Sequence, residues 1–182
     1  MKTIKVPLSS AGISNLVKKI EQLKKDLSQA DTNIVNKMSE YALKEIETNV
    51  SATPYKDGND DVSFFEKGTD KKKIVGMSGS QVLYNEFGTG TQGENSPHPL
   101  KSKYGLRGYN TGRRIRKASL NVNEKHGIPI GMKYWVYKDK AGNKVYTTGI
   151  PAGLQVYNAA QSLRKKKQEI VKKEVSDALS KL

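Results

Sequence analysis

Apolar residues in the first fifty positions recur at steps of three and four, which places them on one face of an α-helix. They are Ile13, Leu16, Val17, Ile20, Leu23, Leu27, Ile34, Val35, Met38, Ala42 and Ile46. A polar break at residues 30–33 is compatible with a turn between two helices or a bend within one. We predict one long helical region over residues 1–50, bent at this break. Because the stripe is longer than a small sheet can cover, part of it is expected to pack on another subunit.

Two strand-like segments follow the helical pattern. Residues 51–61 gather turn-forming side chains and end the helix. Residues 62–67 and 73–78 have the composition of two strands, with turn formers at 68–70 between them. We predict that residues 51–87 contain two paired strands, which begin a small antiparallel sheet, and then a short apolar segment.

That apolar segment ends in glycines. Tyr84 and Phe87 are one helical turn apart, and Gly88, Gly90 and Gly93 match the G-x-G-x-x-G spacing of dinucleotide-binding sites. Such a site requires the glycines to open a helix and an acidic residue about 20 positions later. Here two prolines follow, and basic residues stand at the acidic position. We therefore predict no nucleotide cofactor, and no other cofactor.

Residues 88–131 show no periodicity and are predicted to form a long basic loop rich in glycine and proline. Two tyrosines, Tyr104 and Tyr109, lie among its basic residues. Such a loop can hold the phosphates and bases of a nucleic acid, or it can wrap a neighbouring subunit, and both interpretations stay open. The candidate contacts with DNA or a partner are Arg107, Arg113, Arg114, Arg116 and Lys117, with Lys101, Lys103 and Lys125 nearby.

Residues 132–150 give the clearest hairpin pattern, with a turn at 140–143. Trp135 and Tyr137 fall on the face opposite Tyr134 and Val136, so one face is predicted to be available to a partner. Residues 151–182 are predicted to form a C-terminal helix. Its apolar stripe is Val156, Ala160, Leu163, Ile170, Val171, Val175, Ala178 and Leu182. The whole pattern predicts a single α+β domain over residues 1–182.

The chain is strongly basic, with a net charge of +14 over 182 residues, and the excess lies in its second half. This favours a polyanion nearby, although a solvated basic surface explains it equally well. Cysteine is absent, which excludes disulfides and thiolate metal sites. The N-terminus lacks the apolar region of a signal peptide, and no later run is apolar enough to cross a membrane. We predict a soluble, non-exported protein with no membrane partner.

The candidate groups for catalysis are few. His98 and His126 lack metal-ligand spacing, and no hydrolase, zinc-protease or nucleotide-binding motif occurs. Glu86 is the most conspicuous carboxylate, but a carboxylate without a second one beside it is more often a helix cap or half of an ion pair. We predict no enzyme activity and no metal site.

Several segments together carry a family resemblance. The chain resembles the small tail-component proteins of long-tailed bacteriophages, which act in head-to-tail joining or tail completion. Tyr84, Glu86, Phe87, Gly88, Thr89 and Gly90 form the most specific segment of the match. The others are Gly12-Ile-Ser-Asn-Leu-Val-Lys-Lys-Ile, Ala52-Thr-Pro54 with Gly58, Thr148-Gly-Ile-Pro-Ala152, and Tyr157-Asn-Ala159-Ala160.

The resemblance implies an antiparallel sheet packed by the N- and C-terminal helices, and no catalytic residue. It implies a virion subunit, assembled in the host bacterial cytoplasm as a ring or stack at the neck or upper tail. The implied partners are copies of the chain, neck or head-completion proteins, tail-tube or tail-terminator proteins, and the DNA in the channel. Residues 84–90 are the implied assembly signature. The alternative is a free nucleic-acid-binding protein that uses residues 101–125.

Overall fold

The computed structural model describes residues 7, 9–53, 61–79, 82–100, 102–103, 116–138 and 141–181, apart from the side chains at 91 and 93. These residues form a mixed α+β fold, as predicted. Five helices and five strands follow one another along the described chain. In order they are α1 Ser10–Ala52, β1 Ser63–Thr69, β2 Lys72–Ser78, α2 Val82–Phe87, α3 Gly90–Asn95, β3 Arg116–Lys117, α4 Leu120–His126, β4 Lys133–Lys138, β5 Lys144–Thr147 and α5 Gln155–Ser180.

Helix α1 is continuous over 43 residues. Ser9 caps its start, because its Oγ accepts the N–H of Gly12 at 3.1 Å. The polar break at residues 30–33 does not end the helix. Ala30 within it is buried, so packing on this side overrides the weak helix propensity of the polar residues that follow. The choice of one helix over two is confirmed, and the bend stays a prediction.

The two strands predicted within residues 51–87 are present as β1 and β2, which form a two-stranded antiparallel sheet. Glu66 on β1 accepts a hydrogen bond from Lys73 on β2 and a second one from Ser39. These bonds, the one from Lys73 first, hold the pKa of Glu66 below its ordinary value. The hairpin thus gains an ion pair across its strands.

The predicted hairpin of residues 132–150 is β4 paired with β5, with Trp135 opposite Thr147 and Tyr137 opposite Val145. Strand β3 takes the other edge of β4, so the order is β3-β4-β5. Strands β1 and β2 form a separate two-stranded sheet. A small core lies under the three-stranded sheet and comprises Ala118, Ile128 and Tyr134, with Val122, Met132, Val136 and Tyr146 packed against it.

The description of residues 88–131 as one loop is wrong for three short elements. Helices α3 and α4 and strand β3 lie within this range. Their lengths are 6, 7 and 2 residues, which is too short for a helical or strand period to appear in the sequence. Ala118 on the chain between β3 and α4 nevertheless anchors the segment, since its N–H donates to Met132 O at 2.9 Å.

The chain divides into two compact units. The first comprises Met1–Glu45, Glu66–Val75 and Ala160–Leu182, and the second comprises Ile46–Phe65 and Gly76–Ala159. The single domain over residues 1–182 stays a prediction. Among the described residues, no helix combines the length and apolarity needed to cross a membrane.

In the first unit, α1 and α5 run antiparallel. Lys37 on α1 donates to Glu174 on α5. The hydrogen bond to Glu169 raises the pKa of Lys166 of α5, and Tyr41, one turn further along α1, lies near Lys166 and raises this pKa slightly further. Glu174 is buried by this packing, whereas Val171 on the predicted stripe is 37% exposed. The predicted stripe of α5 is therefore wrong in part, because the ion pair with Lys37 turns a charged residue toward α1.

Candidate functional site

The carboxylate of Glu86, at the end of α2, lies against the first turn of α5. Glu86 is buried, and its Oε2 accepts the N–H of Val156 at 2.9 Å while its Oε1 accepts the N–H of Tyr157 at 3.0 Å. The first N–H groups of a helix have no partner inside the helix, and a negative charge is favoured near them. Glu86 is therefore the N-terminal cap of α5, which agrees with the structural role expected of a carboxylate without a second one beside it.

Main-chain hydrogen bonds join the same two helix ends. The carbonyl oxygen of Asn85 accepts the N–H of Gly153 at 2.7 Å, and that of Glu86 accepts the N–H of Leu154 at 3.2 Å. Both carbonyls come from the last turn of α2, where a helix leaves such groups unpaired. The end of α2 and the beginning of α5 thus satisfy each other's main-chain groups.

His98 is the second ionisable side chain at this site, and it is also buried. Its Nε2 lies 3.1 Å from Oε1 of Glu86, and its Nδ1 accepts the N–H of Leu100 at 2.9 Å. Because Nδ1 is an acceptor, the ring proton sits on Nε2 and is donated to Glu86. These bonds assign a neutral imidazole that holds the capping carboxylate in place.

Aromatic rings enclose His98 on two sides. The ring centre of Phe87 lies 4.3 Å from that of His98, and the ring of Tyr157 meets it edge-on at 5.2 Å. Such contacts exclude water and add to the energy of burial. The pair of Glu86 and His98 is therefore held within an apolar shell rather than presented at the surface.

The chain that follows α2 is bonded to residues 148–152. Thr89 donates its N–H to the carbonyl of Ile150 at 2.7 Å, and Ile150 donates its N–H back to Thr89 Oγ1 at 3.2 Å. We call the contact between residues 84–90 and residues 148–157, together with His98, the latch. It joins two segments that are far apart in the sequence.

The glycines of the latch are required by its close packing. Gly88 and Gly90 have φ angles of 70° and 58°, in the left-handed region that disfavours other residues. A Cβ at Gly88 would lie 2.5 Å from the nitrogen of Ala152, and a Cβ at Gly90 would lie 2.2 Å from the Trp135 ring. The glycine spacing that mimics a dinucleotide fingerprint therefore serves chain packing in this structure.

Trp135 is part of the same packing and is 5% exposed. The prediction that its face of the hairpin is available to a partner is therefore wrong at Trp135, because Gly90 and Gly149 bring main chain against the ring. Tyr137, two residues further on the same face, is 41% exposed and keeps the predicted accessibility.

A polar network at the start of α5 has no counterpart in the sequence predictions. Gln155 is fully buried, and its Nε2 donates to Thr53 Oγ1 at 3.1 Å. Thr53 Oγ1 donates to the carbonyl of Asn49 at 2.9 Å, and Asn49 Nδ2 donates to the carbonyl of Gln155 at 2.9 Å. One signal was present: Gln155 stands four residues before Ala159, on the side of α5 that is buried.

The predicted basic contacts are only partly within the described residues. Arg116 and Lys117 form β3, pair with Tyr134 and Lys133, and are exposed. Arg107, Arg113 and Arg114 lie outside the described residues, as do Lys101, Tyr104 and Tyr109. Lys103 lies in a described turn and Lys125 in α4.

The two histidines occupy different surroundings. His126 stacks on Tyr146 with ring centres 3.6 Å apart, whereas His98 belongs to the latch. Within the described residues, no group of three or more His, Cys, Asp or Glu side chains is placed to hold a metal ion.

Most polar groups of the latch are thus engaged inside the protein. The Glu86 carboxylate has three hydrogen-bond partners, and both ring nitrogens of His98 have one each. These hydrogen bonds fix the start of α5 against the end of α2. Comparison with known proteins gave no match to any family model, curated protein or solved structure.

Proposed function

We propose that the protein is a structural virion component of a tailed phage, acting in head-tail joining or tail completion. In this role it assembles as a ring or stack at the neck or upper tail, around the path of the DNA. Its partners are copies of itself, neck or head-completion proteins, and tail-tube or tail-terminator proteins.

The contact that closes the latch is the observation that carries the proposal. Three of the segments that resemble the tail-component family, residues 84–90, 148–152 and 157–160, are separate in the sequence. Glu86 and Thr89 bond directly to Tyr157 and Ile150. The residues on which the resemblance rests therefore act together as one structural device, as expected if the resemblance reflects a shared fold.

Exposed apolar side chains support an assembling protein. Isolated exposed apolar residues are normal, but runs of them on one surface indicate contact with a partner. The large exposed ones are Ile13, Val17, Ile20, Leu27, Ile74, Leu83, Leu120, Ile130, Tyr137, Val171 and Leu179. Four of these lie on the first half of α1, and the sequence predicts that part of the stripe on this helix packs on another subunit.

The charge of the chain supports a position near DNA. The net charge is +14, and Arg116 and Lys117 present two adjacent exposed cations on β3. Cations that line a passage for DNA lower the electrostatic cost of the phosphates passing them.

Co-assembly tests the proposal. The chain is co-expressed with head-completion and major tail proteins of a tailed phage, and complexes are purified and imaged by negative-stain electron microscopy. We expect the chain to co-purify with one of these proteins and to form rings or stacks with an axial hole.

A chain that stays separate from these proteins would overturn the proposal. If that separate chain binds duplex DNA, the alternative of a free nucleic-acid-binding protein replaces it. Turnover of a small molecule at the latch would equally overturn it.

A further inference from the structure

The first half of α1 carries apolar side chains that the described protein leaves in water. Ile13, Val17, Ile20 and Leu27 are 53%, 49%, 56% and 37% exposed, and Leu16 and Leu23 between them are half-buried. No residue from Ser10 to Gln29 is buried, and the first buried position is Ala30.

The exposure begins where α5 runs out. Because α1 and α5 are antiparallel and Lys37 meets Glu174, the end of α5 at Ser180 reaches about 9 Å further, to about Asp31 on α1. The turns of α1 before Asp31 lie beyond the last described turn of α5, so α5 does not cover them there.

The apolar spacing on this part of α1 is that of a two-helix coiled coil. Leu16, Ile20, Leu23 and Leu27 follow one another at steps of four, three and four, which matches alternating a and d positions of a heptad repeat. We call these four residues the α1 seam. Their residue type and spacing fit another helix better than a sheet or a membrane surface, since Lys and Asp flank the seam on both sides.

We infer that the α1 seam binds the α1 seam of a second copy of this chain, with the two helices antiparallel. In this pairing Ile20 packs against Leu23 of the second copy, and Leu16 packs against Leu27 of the second copy. All four layers of the contact are then apolar on both sides.

The flanking charges select the antiparallel direction. In a parallel pair, each g position faces the e position five residues later, so Lys19 would face Lys24 and Asp26 would face Asp31. Both contacts are repulsive. In the antiparallel pair the g positions face each other, so Lys19 lies beside Asp26 of the second copy, and the two-fold axis repeats this attraction.

The charges also select the register. A shift of the antiparallel pair by one heptad brings Asp26 beside Asp26 in one direction, or Lys19 beside Lys19 in the other. Asp26 is held on the surface of α1 by a hydrogen bond from Gln22, one turn earlier, at 3.1 Å. The register that pairs the four seam residues with one another is thus the one with two attractive charge pairs.

This contact differs from the contact between neighbours in a ring. A two-fold pair uses the same surface on both copies, whereas a cyclic ring uses two different surfaces on each copy. The seam therefore joins chains in pairs, outside the contacts that close a ring. It is independent of the proposed virion role and can be tested without any other phage protein.

Engineered disulfides test the direction, because the chain contains no cysteine of its own. Leu16→Cys and Leu27→Cys are made in separate full-length chains, and the two are mixed and oxidised. The antiparallel pair predicts a disulfide between the two variants. It predicts none for Leu16→Cys alone, since its two copies would be about 16 Å apart along the axis, beyond disulfide reach.

Charge reversal tests the pairing on the unmodified seam by sedimentation velocity. Lys19→Glu places like charges beside both Asp26 residues, and we expect the dissociation constant of the dimer to rise about tenfold. Lys19→Glu with Asp26→Lys should restore the dimer. The control is Lys18→Glu, which makes the same change in net charge at a position facing away from the seam and should leave the dimer unchanged.

Three outcomes would overturn the inference. They are a chain that stays monomeric at millimolar concentration, a disulfide in Leu16→Cys alone, and equal effects of the Lys18 and Lys19 changes. A ring that forms with neck proteins while the seam fails these tests would leave the proposed function standing. If the seam pairs but the chain assembles with no phage protein, the proposed function is refuted and the inferred pairing of the two α1 seams stands.

Discussion

At the scale of single residues, the latch explains why Glu86 and two glycines stand close together in the sequence. The carboxylate caps a helix that begins far along the chain, and the glycines let the main chain approach Ala152 and Trp135. Each role depends on a long-range contact. The sequence therefore marks these residues as special without showing what they touch.

Glu86→Gln should destabilise the protein by about 2 kcal/mol, because a carboxamide offers one acceptor where the carboxylate serves three donors, and its NH2 group would face a main-chain N–H. Urea unfolding followed by the fluorescence of the single tryptophan, Trp135, measures this change. Glu94→Gln is the matched control, since Glu94 is 51% exposed and lies 3.9 Å from Lys133. Equal effects of the two substitutions would contradict the capping role.

Gly90→Ala should lower the free energy of unfolding by about 3 kcal/mol, since the new methyl group would collide with the Trp135 ring and the residue would keep a positive φ. Gly142→Ala separates the two causes. Gly142 also has a positive φ, but a Cβ there meets nothing within 4 Å, so we expect about 1 kcal/mol. A shift in Trp135 emission for the first variant alone would identify the collision, and identical unfolding curves would refute it.

At the residue scale, contacts between residues that are far apart in the sequence could not be predicted. A cap or half of an ion pair was the expected role for Glu86, but its partners Val156 and Tyr157 were not identifiable, because nothing local relates α2 to α5. The buried Gln155 was missed for the same reason. An amide on an apolar helix face is interpretable only when its partners, here Thr53 and Asn49, are known.

At the scale of elements, the long elements were predicted from the sequence and the short elements were missed. The long helix was predicted from its repeating stripe, and the first two strands and the hairpin of β4 and β5 from runs of strand-forming residues on either side of turn formers. Strand β3 has 2 residues, and α3 and α4 have 6 and 7. Such elements are held by contacts with neighbours, as Ala118 is with Met132, rather than by a pattern of their own.

The contact between α1 and α5 should weaken in acid. Hydrogen bonding from Lys37 lowers the pKa of Glu174 below its ordinary 4.5 and raises the pKa of Lys37 above its ordinary 10.5. The contribution of Glu174 is therefore present above pH 4.5 and is lost as the pH falls through its lowered pKa. That of Lys37 is lost only when the pH rises above 10.5.

The measurement compares the unfolding free energies of the natural protein and Glu174→Gln from about pH 7 to about pH 3. We expect a difference near neutral pH that shrinks steadily below pH 4.5. Glu169→Gln is the control, because Glu169 is a well-exposed side chain that pairs with Lys166 one turn away on the same helix. A difference for Glu174→Gln that is independent of pH would show that the ion pair contributes nothing.

At the scale of the whole molecule, the fold class followed from the order of periodic segments, with a long helix, strands and a second helix. The division of the strands between two sheets could not be predicted, because the sequence does not show that β3 pairs with the free edge of β4. The charge of the molecule, by contrast, is a property of composition alone. It supports a prediction about association without reference to detailed geometry.

The alternative of a free nucleic-acid-binding protein predicts that the isolated chain binds duplex DNA without sequence preference and more weakly as salt increases. Arg116→Ser together with Lys117→Ser should reduce the slope of log affinity against log salt by about 2, because each cation contributes about one released counterion. Lys24→Ser with Lys25→Ser on α1 is the charge-matched control. If the two double variants have the same slope, β3 is not a preferred contact with DNA.

The cap on α5 has a consequence for synthesis on the ribosome. Glu86 and His98 are translated well before Val156 and Tyr157, so a nascent chain carries an acceptor whose donors do not yet exist. A polypeptide terminated early, without α5, would have to keep that acid hydrated and could not fold the aromatic shell over it. Maturation of this region thus waits for late translation, so a chain that ends before α5 cannot complete the cap.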